Sequence, residues 1–149
     1  MATLDADRLV GAWQLQHWQV VYEDGTTTEP FGPAAEGLLL YTADGWMSAC
    51  IMAAGRARLP PGNPREAPES ERAAAFDGYF SYAGRWRILE RRVQHEVIVA
   101  LNPGLVGTLQ LREAQLAEGG LTLSAEESLR GGTRLHQLTW RRAAGYPGR

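Results

Sequence analysis

Residues 37–52 read Gly-Leu-Leu-Leu-Tyr-Thr-Ala-Asp-Gly-Trp-Met-Ser-Ala-Cys-Ile-Met. Two short apolar runs, over residues 37–42 and 46–52, flank the tripeptide Ala43-Asp44-Gly45. An Asp-Gly step between apolar runs is among the stronger short-range hairpin signals, because both residues tolerate a positive φ. The stretch therefore predicts two antiparallel strands joined by a tight turn.

Further segments of the same kind lie on both sides of this hairpin. Each is short, rich in apolar and β-branched or aromatic residues, and bounded by turn signals. They cover residues 11–22, 82–89, 93–101, 106–112, 121–129 and 134–140. Short connections between the strands favour antiparallel pairing, because parallel pairing needs long crossovers. The chain is therefore expected to form an antiparallel meander of eight strands.

An open sheet of eight strands leaves two unpaired edges, and closing it into a barrel removes both. A barrel of about eight strands is just wide enough to be filled by side chains or to hold one small ligand. We therefore predict an all-β fold, an eight-stranded antiparallel barrel, within a single domain over residues 1–149. The ends, about 1–7 and 143–149, are expected to be flexible, with a short helical turn before the first strand.

One segment interrupts the strand pattern. Residues 56–68 contain four prolines and several charges, which is typical of a loop. Residues 69–78 follow, with acidic residues at the start, an alanine run and a terminal glycine. This pattern predicts a short helix. Because long loops in compact domains are often lids, we expect the loop and helix to cover one barrel mouth.

Composition excludes several function classes. The chain has 15 basic residues, all arginine, against 17 acidic ones, for a net charge of −2. Nucleic-acid binding is not expected from this balance, and the lack of lysine excludes Schiff-base chemistry. No apolar run is long enough to span a membrane, and the N-terminal sequence lacks a signal-peptide pattern. With Cys50 as the only cysteine, we expect no disulfide, and a cytoplasmic location.

Several stretches resemble a known family. Gly11-Ala12-Trp13 is similar to the Gly-x-Trp signature of lipocalins, in which the tryptophan plugs the barrel floor and an arginine stacks on it. Arg141 and Arg142 of the last strand are candidates for that arginine. The chain as a whole resembles the small bacterial and fungal lipocalin-like domain family, over roughly residues 9–142. The matching stretches are residues 30–33, 37–48, 76–84, 93–97 and 106–108. The resemblance implies a barrel with an internal cavity but fixes no reaction.

Side-chain alternation along the strands selects candidate catalytic residues. His95, Tyr82 and Glu127 each share a strand face with apolar residues and are expected to point into the barrel. Trp13 places His17 and Gln19 inward by the same parity, unless a bulge changes it partway along the strand. We predict His95 as acid or base, Glu127 as its partner or orienter, and Tyr82 as donor to a substrate oxygen. The alternative is that each is a buried, hydrogen-bonded residue without a chemical role.

Burial is expected to move both kinds of ionisable group toward neutrality. A buried carboxylic acid has a raised pKa and a buried imidazole a lowered one, and both shifts favour proton transfer near pH 7. This reasoning makes the predicted lumen an acid–base site in an apolar, partly dry pocket.

Aromatic residues are numerous enough to line a pocket for a flat ligand by stacking. The predicted ligand-binding set is Tyr41, Trp46, Tyr79, Trp86 and Trp140, together with Gln19. The alternative is that the aromatic side chains fill a closed barrel core.

No metal or cofactor is expected. His17, His95 and His136 are the only histidines, and three inward imidazoles are able to bind zinc. However, they show no close ligand spacing such as His-x-His.

Two functional hypotheses follow. The first is a cytoplasmic, cofactor-independent enzyme that acts on an apolar or polyketide-like metabolite by positioning and proton transfer, as a biosynthetic isomerase, cyclase or hydrolase. The second is a non-catalytic binding protein for a small hydrophobic or aromatic molecule. A third reading, a structural barrel with a fully packed interior, needs no cavity. No nucleic-acid or membrane partner is expected, and a homodimer is left open.

Overall fold

The computed structural model describes residues 4–145, in which every strand pairing is antiparallel. The strands are β1 (Gly11–Tyr22), β2 (Thr27–Thr28), β3 (Glu36–Tyr41), β4 (Trp46–Met52), β5 (Tyr79–Leu89), β6 (Arg92–Ala100), β7 (Leu109–Ala117), β8 (Gly120–Leu129) and β9 (Gly132–Arg142). The helices are α1 (Ala6–Leu9) and α2 (Glu69–Asp77), and two 3-10 turns cover Pro64–Glu66 and Pro103–Leu105. Only the two-residue strand β2 lies outside the predicted set of eight.

The sheet closes because β1 pairs with β9 as well as with β3. The pairing of β1 and β9 runs from Trp13 opposite Arg142 to Tyr22 opposite Arg134. Strand β2 pairs with β1 at Val20 and Val21. It lies on the same edge of β1 as β3, whose pairing with β1 ends at Gln14. The prediction of an eight-stranded antiparallel barrel with a short helix is thereby confirmed.

The hairpin of residues 37–52 forms as the sequence predicts. The Thr42 backbone N–H donates to the Trp46 carbonyl oxygen at 2.8 Å. Gly45 has a φ of +95°, a conformation that costs glycine little. Register then places Leu39 opposite Ala49, and both side chains are buried in the barrel.

One end of the barrel, the floor, is plugged. Asp5 caps α1 by accepting from the Asp7 N–H at 3.0 Å, and the buried Leu9 carbonyl accepts from Trp13 Nε1 at 2.9 Å. The Arg142 guanidinium lies 4.0 Å from the centre of the Trp13 ring and donates to backbone carbonyls of the α1 segment, including that of Val10. The lipocalin-like plug expected from Gly-x-Trp is therefore present.

Gly11 is needed at this plug for two reasons. Its φ is +125°, and a Cβ at this position would lie 2.7 Å from a terminal nitrogen of Arg142. A side chain here would therefore strain the backbone and displace the arginine that seals the floor.

A bulge in β1 changes which residues face inward. The register with β9 shifts between Leu15 and His17. Trp13 and Leu15 are buried before the shift, and Val20 is buried after it. His17 and Gln19 consequently lie on the outer face, and their predicted place in the lumen is corrected.

The wall between β7 and β8 is incompletely paired. β7 pairs with β6 from Leu109 to Glu113, but it pairs with β8 only from Glu113 to Ala117. Among the described residues, the first part of β7 and the segment 125–129 of β8 therefore form no ladder with each other. This gap lies toward the end of the barrel opposite the plug, which we call the mouth.

The remaining differences from the sequence predictions are local. The 3-10 turn Pro103–Leu105 delays the strand expected at Val106 until Leu109, and β5 begins earlier than predicted, at Tyr79. The expected flexible N-terminal end is tied down from Leu4, whose N–H donates to the Glu90 carbonyl at 3.1 Å. Residues 1–3 and 146–149 of the two expected flexible ends lie outside the described residues.

Helix α2 occupies residues 69–77, as predicted, and leads into β5 at the mouth end of the barrel. It buries none of its own side chains, and Phe76 is half exposed. No α2 residue lines the interior cavity, whereas Leu105 of the second 3-10 turn does. The predicted cover over the mouth is thus a proposal that these contacts leave untested. Across residues 4–145 no helix is long and apolar enough to cross a membrane.

Candidate functional site

The mouth half of the barrel encloses a cavity, the lumen, of about 380 Å³. This volume lies within the range of small-molecule sites. Its walls are largely apolar and come from Trp18, Ile51, Phe80, Leu123, Leu138 and Trp140. The floor half is packed by aromatic side chains instead, so the interior is neither empty throughout nor filled throughout.

Three buried side chains form a hydrogen-bonded relay at the base of the lumen. Tyr41 Oη lies 2.7 Å from His95 Nε2, and Tyr82 Oη lies 2.6 Å from His95 Nδ1. Tyr41 and His95 are each 2% exposed and Tyr82 is 5% exposed. His95 and Tyr82 line the lumen, whereas Tyr41 lies behind them and packs against Trp86 in a tilted arrangement, with the ring centroids 4.8 Å apart.

The surroundings of Tyr41 set the direction of the relay. A buried hydroxyl proton needs an acceptor, and His95 Nε2 is the only hydrogen-bond partner of the Tyr41 side chain among residues 4–145. Tyr41 therefore donates to Nε2, so the neutral imidazole carries its proton on Nδ1 and donates to Tyr82 Oη. The Tyr82 hydroxyl proton is then left for an acceptor in the lumen.

Burial keeps the relay uncharged at neutral pH. Desolvation, reinforced by the positive charge of Arg112, lowers the pKa of His95 to about 3. Desolvation likewise raises the pKa of Tyr82 and raises that of Tyr41 well above its usual value. The pKa of His95 moves in the direction expected from the sequence, but it falls too far for this imidazole to act as a base near pH 7.

Arg112 is the cation next to the relay. It lines the lumen from β7, and the positive charge of its guanidinium near the Tyr82 hydroxyl opposes the rise in that tyrosine's pKa. It also donates to the Leu111 carbonyl at 2.9 Å and to Gln110 Oε1 at 3.4 Å. Sequence reasoning missed Arg112 and Gln110, although alternation with the buried Ala114 places both on the inner face.

A second polar group lies near the mouth. Glu127 Oε2 accepts from Arg134 Nε and from His136 Nε2, both at 2.7 Å. Trp18 Nε1 donates to His136 Nδ1 at 3.2 Å. Because an indole nitrogen only donates, His136 Nδ1 is unprotonated, and its proton sits on Nε2 facing Glu127.

The pKa of Glu127 moves opposite to the sequence expectation. It falls to about 2, because hydrogen bonds from Arg134 and His136 outweigh a small desolvation effect. Its side chain is 43% exposed, so burial does not dominate. The expected rise of this pKa toward neutrality is therefore wrong, since Glu127 lies at the mouth rather than deep in an apolar wall.

His95 and Glu127 line the same cavity, but His95 hydrogen-bonds to Tyr82 and Glu127 to His136. His136, which the sequence singled out only as a metal candidate, is the imidazole that pairs with Glu127. Its inward orientation follows from alternation with Trp140 and was available from the sequence. The contact itself lies within the hairpin of β8 and β9, so it depends on the register of these two strands, which the sequence analysis did not assign.

Four of the predicted residues lie on the outer face. His17 Nε2 is 3.2 Å from Glu29, and Gln19 Nε2 donates to Gln137 at 3.0 Å. Trp46 is stacked at 4.8 Å under Arg85, and Tyr79 at 5.2 Å under Arg56. These contacts place all four side chains outside the lumen, so the prediction that they line it is wrong.

The predicted aromatic set is thus divided. Trp140 lines the lumen, whereas Tyr41 and Trp86 are packed beneath it. Trp140 is 2% exposed, and its indole Nε1 has no hydrogen-bond partner among the described residues. It is therefore a buried donor in the wall of the cavity. Across residues 4–145, no three His, Cys, Asp or Glu side chains converge as a metal-binding group.

Comparison with known proteins gives a family but no individual relative. No curated protein and no solved structure is significantly similar to the chain. The model of the lipocalin-like domain family matches residues 10–143, which include all the strands of the barrel. The match agrees with the closed barrel, the tryptophan–arginine plug and the apolar lumen described above. The chain therefore belongs to the lipocalin-like domain family.

Proposed function

We propose that the protein binds a small, largely apolar metabolite in the lumen and acts on it as a cofactor-independent enzyme, by positioning and hydrogen-bond activation. A lipocalin-like barrel suggests small-molecule binding. The single observation that carries the catalytic part is the relay from Tyr41 through His95, which leaves the Tyr82 hydroxyl proton available to the lumen. Isomerisation or cyclisation of a carbonyl-bearing molecule is the reaction class that needs such a donor most.

In this proposal Tyr82 is the catalytic residue. A donor fixed before the reaction stabilises negative charge that develops on a substrate oxygen, and it does so more strongly where water is excluded. His95 is a positioning residue, because both of its ring nitrogens are engaged and its pKa is about 3. This replaces the acid–base role that the sequence suggested for His95.

Glu127 has a different role at the other end of the lumen. Its pKa of about 2 keeps it ionised at neutral pH, so it is a weak proton acceptor. One of its oxygens, Oε2, is occupied by Arg134 and His136. We propose that Glu127 orients a polar group of the substrate near the mouth or takes a proton that the reaction has already made acidic.

One observation favours the second candidate, a non-catalytic binding protein. All four ring nitrogens of His95 and His136 are hydrogen-bonded to protein groups. Neither imidazole is therefore a free general base in the unliganded barrel. In this reading the same polar groups only orient a hydrophobic or aromatic guest.

The test begins with native mass spectrometry of gently purified protein, to identify a co-purifying metabolite. That metabolite and its chemical precursors are then incubated with catalytic amounts of protein. Tyr82→Phe is expected to lower turnover by about 10²–10³-fold, the typical effect of losing one such donor. Tyr79→Phe is the matched control, because this nearby tyrosine lies on the outer face, and it should leave turnover unchanged.

Three results contradict parts of the proposal. Binding without turnover rejects the enzyme in favour of the binding protein. Turnover that Tyr82→Phe leaves intact removes Tyr82 from the mechanism. A lumen that takes up neither a metabolite nor an apolar probe rejects small-molecule binding altogether.

A further inference from the structure

Arg112 lies where the barrel wall begins to separate. It is the β7 residue just before Glu113, the first position at which β7 pairs with β8. Its side chain is half-buried and lines the lumen, within reach of Tyr82. Because Arg112 is only partly buried, its charge is not fully removed from water.

The charge of Arg112 has no counter-ion in the described part of the chain. Two carboxylates line the same lumen: Glu127 already pairs with Arg134 and His136, and Glu126 forms no ion pair with Arg112. The remaining ion pairs of the described residues use different groups. The five donors of the guanidinium are only partly used, since Arg112 donates to the Leu111 carbonyl and to Gln110 Oε1, and both of these acceptors are uncharged. A cation that is half-buried, unpaired and only partly hydrogen-bonded favours an anionic partner.

Tyr82 supplies a second donor beside this cation. Its hydroxyl accepts from His95 Nδ1 at 2.6 Å, which directs its own proton away from the imidazole. A fixed O–H and a guanidinium next to one another match an anionic oxygen group, because hydrogen bonds to charged groups are shorter and stronger than neutral ones. The apolar walls of Trp18, Phe80 and Leu138 then surround the rest of the molecule.

We propose that the molecule held in the lumen carries an anionic oxygen group, a carboxylate or an enolate, bound between the Arg112 guanidinium and the Tyr82 hydroxyl. This inference rests on the proposed function, because it assumes that the lumen binds a small apolar molecule. It adds the chemical class of that molecule and assigns Arg112 as the residue that selects it. An enolate bound here is the anion that an isomerase or cyclase would form, and a carboxylate is the anion of an acidic metabolite.

The test separates binding from charge recognition. The neutral probe N-phenyl-1-naphthylamine reports occupancy of the lumen by its fluorescence. It is displaced with 2-naphthoate, which is an anion, and with 2-naphthamide, its neutral analogue of nearly equal shape. The wild-type protein is expected to bind the naphthoate at least about tenfold more tightly, as one charge-assisted hydrogen bond provides.

Three variants assign the preference to Arg112. Arg112→Gln should bring the ratio of the two affinities close to one while the neutral probe still binds. Arg112→Lys keeps the charge and should retain part of the ratio. Arg87→Gln is the matched control, because Arg87 of β5 extends on the outer face toward Gln94 and should leave the ratio unchanged.

Each outcome decides one claim. A wild-type ratio near one overturns the anion inference while leaving the apolar lumen in place. A ratio that survives Arg112→Gln assigns the anion preference to another group and overturns the role of Arg112. If the wild-type protein binds neither N-phenyl-1-naphthylamine nor a co-purifying metabolite, the proposed small-molecule function is rejected, and this inference falls with it.

Discussion

Replacing Tyr41 with phenylalanine tests the direction of the buried relay. The variant keeps the ring that packs against Trp86 and removes only the hydroxyl that donates to His95 Nε2 at 2.7 Å. The nitrogen is then a buried acceptor without a donor, at a residue that is 2% exposed. Leaving such a group unsatisfied costs about 1–3 kcal/mol.

The matched variant is Tyr82→Phe, which removes the other hydroxyl of the relay. Tyr82 lines the lumen, so water in the cavity is able to replace the acceptor that His95 Nδ1–H loses. Its cost is expected to be smaller, about 0.5–1.5 kcal/mol, the net value of an ordinary hydrogen bond. We therefore predict that Tyr41→Phe lowers the free energy of unfolding more than Tyr82→Phe does.

Urea denaturation measures both values, provided that the slope m is unchanged, since stability differences then follow from the midpoints. Ligand binding should show the reverse order, with Tyr82→Phe weakening it more than Tyr41→Phe. If Tyr82→Phe is the more destabilising variant, or if Tyr41→Phe is neutral, the inferred direction of the proton relay is refuted.

Three further predictions follow from other sites. Gly11→Ala should lower the free energy of unfolding by about 1–3 kcal/mol through backbone strain and displacement of Arg142, measured by urea denaturation. Gly25→Ala, with a φ of +85° but no neighbour within 4 Å, should cost less, and equal costs would argue against the floor plug. Because the folded pKa of Glu127 is lowered to about 2, its ion pair stabilises the fold above pH 4.5 and is lost as pH falls toward 2. Glu127→Gln should flatten that part of the stability profile, and a profile like that of the wild type would contradict the assignment. Nitrogen NMR should find His95 neutral and protonated on Nδ1 down to about pH 4, whereas an ordinary titration near pH 6.5 would contradict its burial.

Local patterns in the sequence were enough to predict the hairpins of the barrel and the plug at its floor. The Asp-Gly turn at residues 44–45 and the glycine-rich turn at 131–132 are properties of neighbouring residues, and both hairpins form. The floor plug followed from Gly11 and Trp13, because the signature that they carry is itself local.

The candidate site was predicted only in part, because its contacts depend on distant pairing. The β1 bulge after Leu15 arises where this strand meets β9, more than a hundred residues later in the chain, and it sends His17 outward. Tyr41 meets His95 across the barrel at a separation of 54 residues. Where no bulge intervenes, alternation predicted the face that each residue takes, but it did not predict which inward-facing residues contact one another.

Arg112 is a second case in which the sequence indicated the face of a residue but not its role. Its inward parity was readable from β7, yet a lone arginine in a strand is usually a solvated surface residue. The structure adds that Arg112 is only partly buried and stands just before the residue at which β7 begins to pair with β8, which no local pattern in β7 predicts.

A crystal structure of the protein with 2-naphthoate tests the central claim most directly. The account predicts the naphthalene ring inside the lumen, against Trp18, Phe80 and Leu138, with a carboxylate oxygen within hydrogen-bond distance of Tyr82 Oη and of the Arg112 guanidinium. A ligand bound only on the outer surface of the barrel, or a lumen closed by its own side chains, would contradict it.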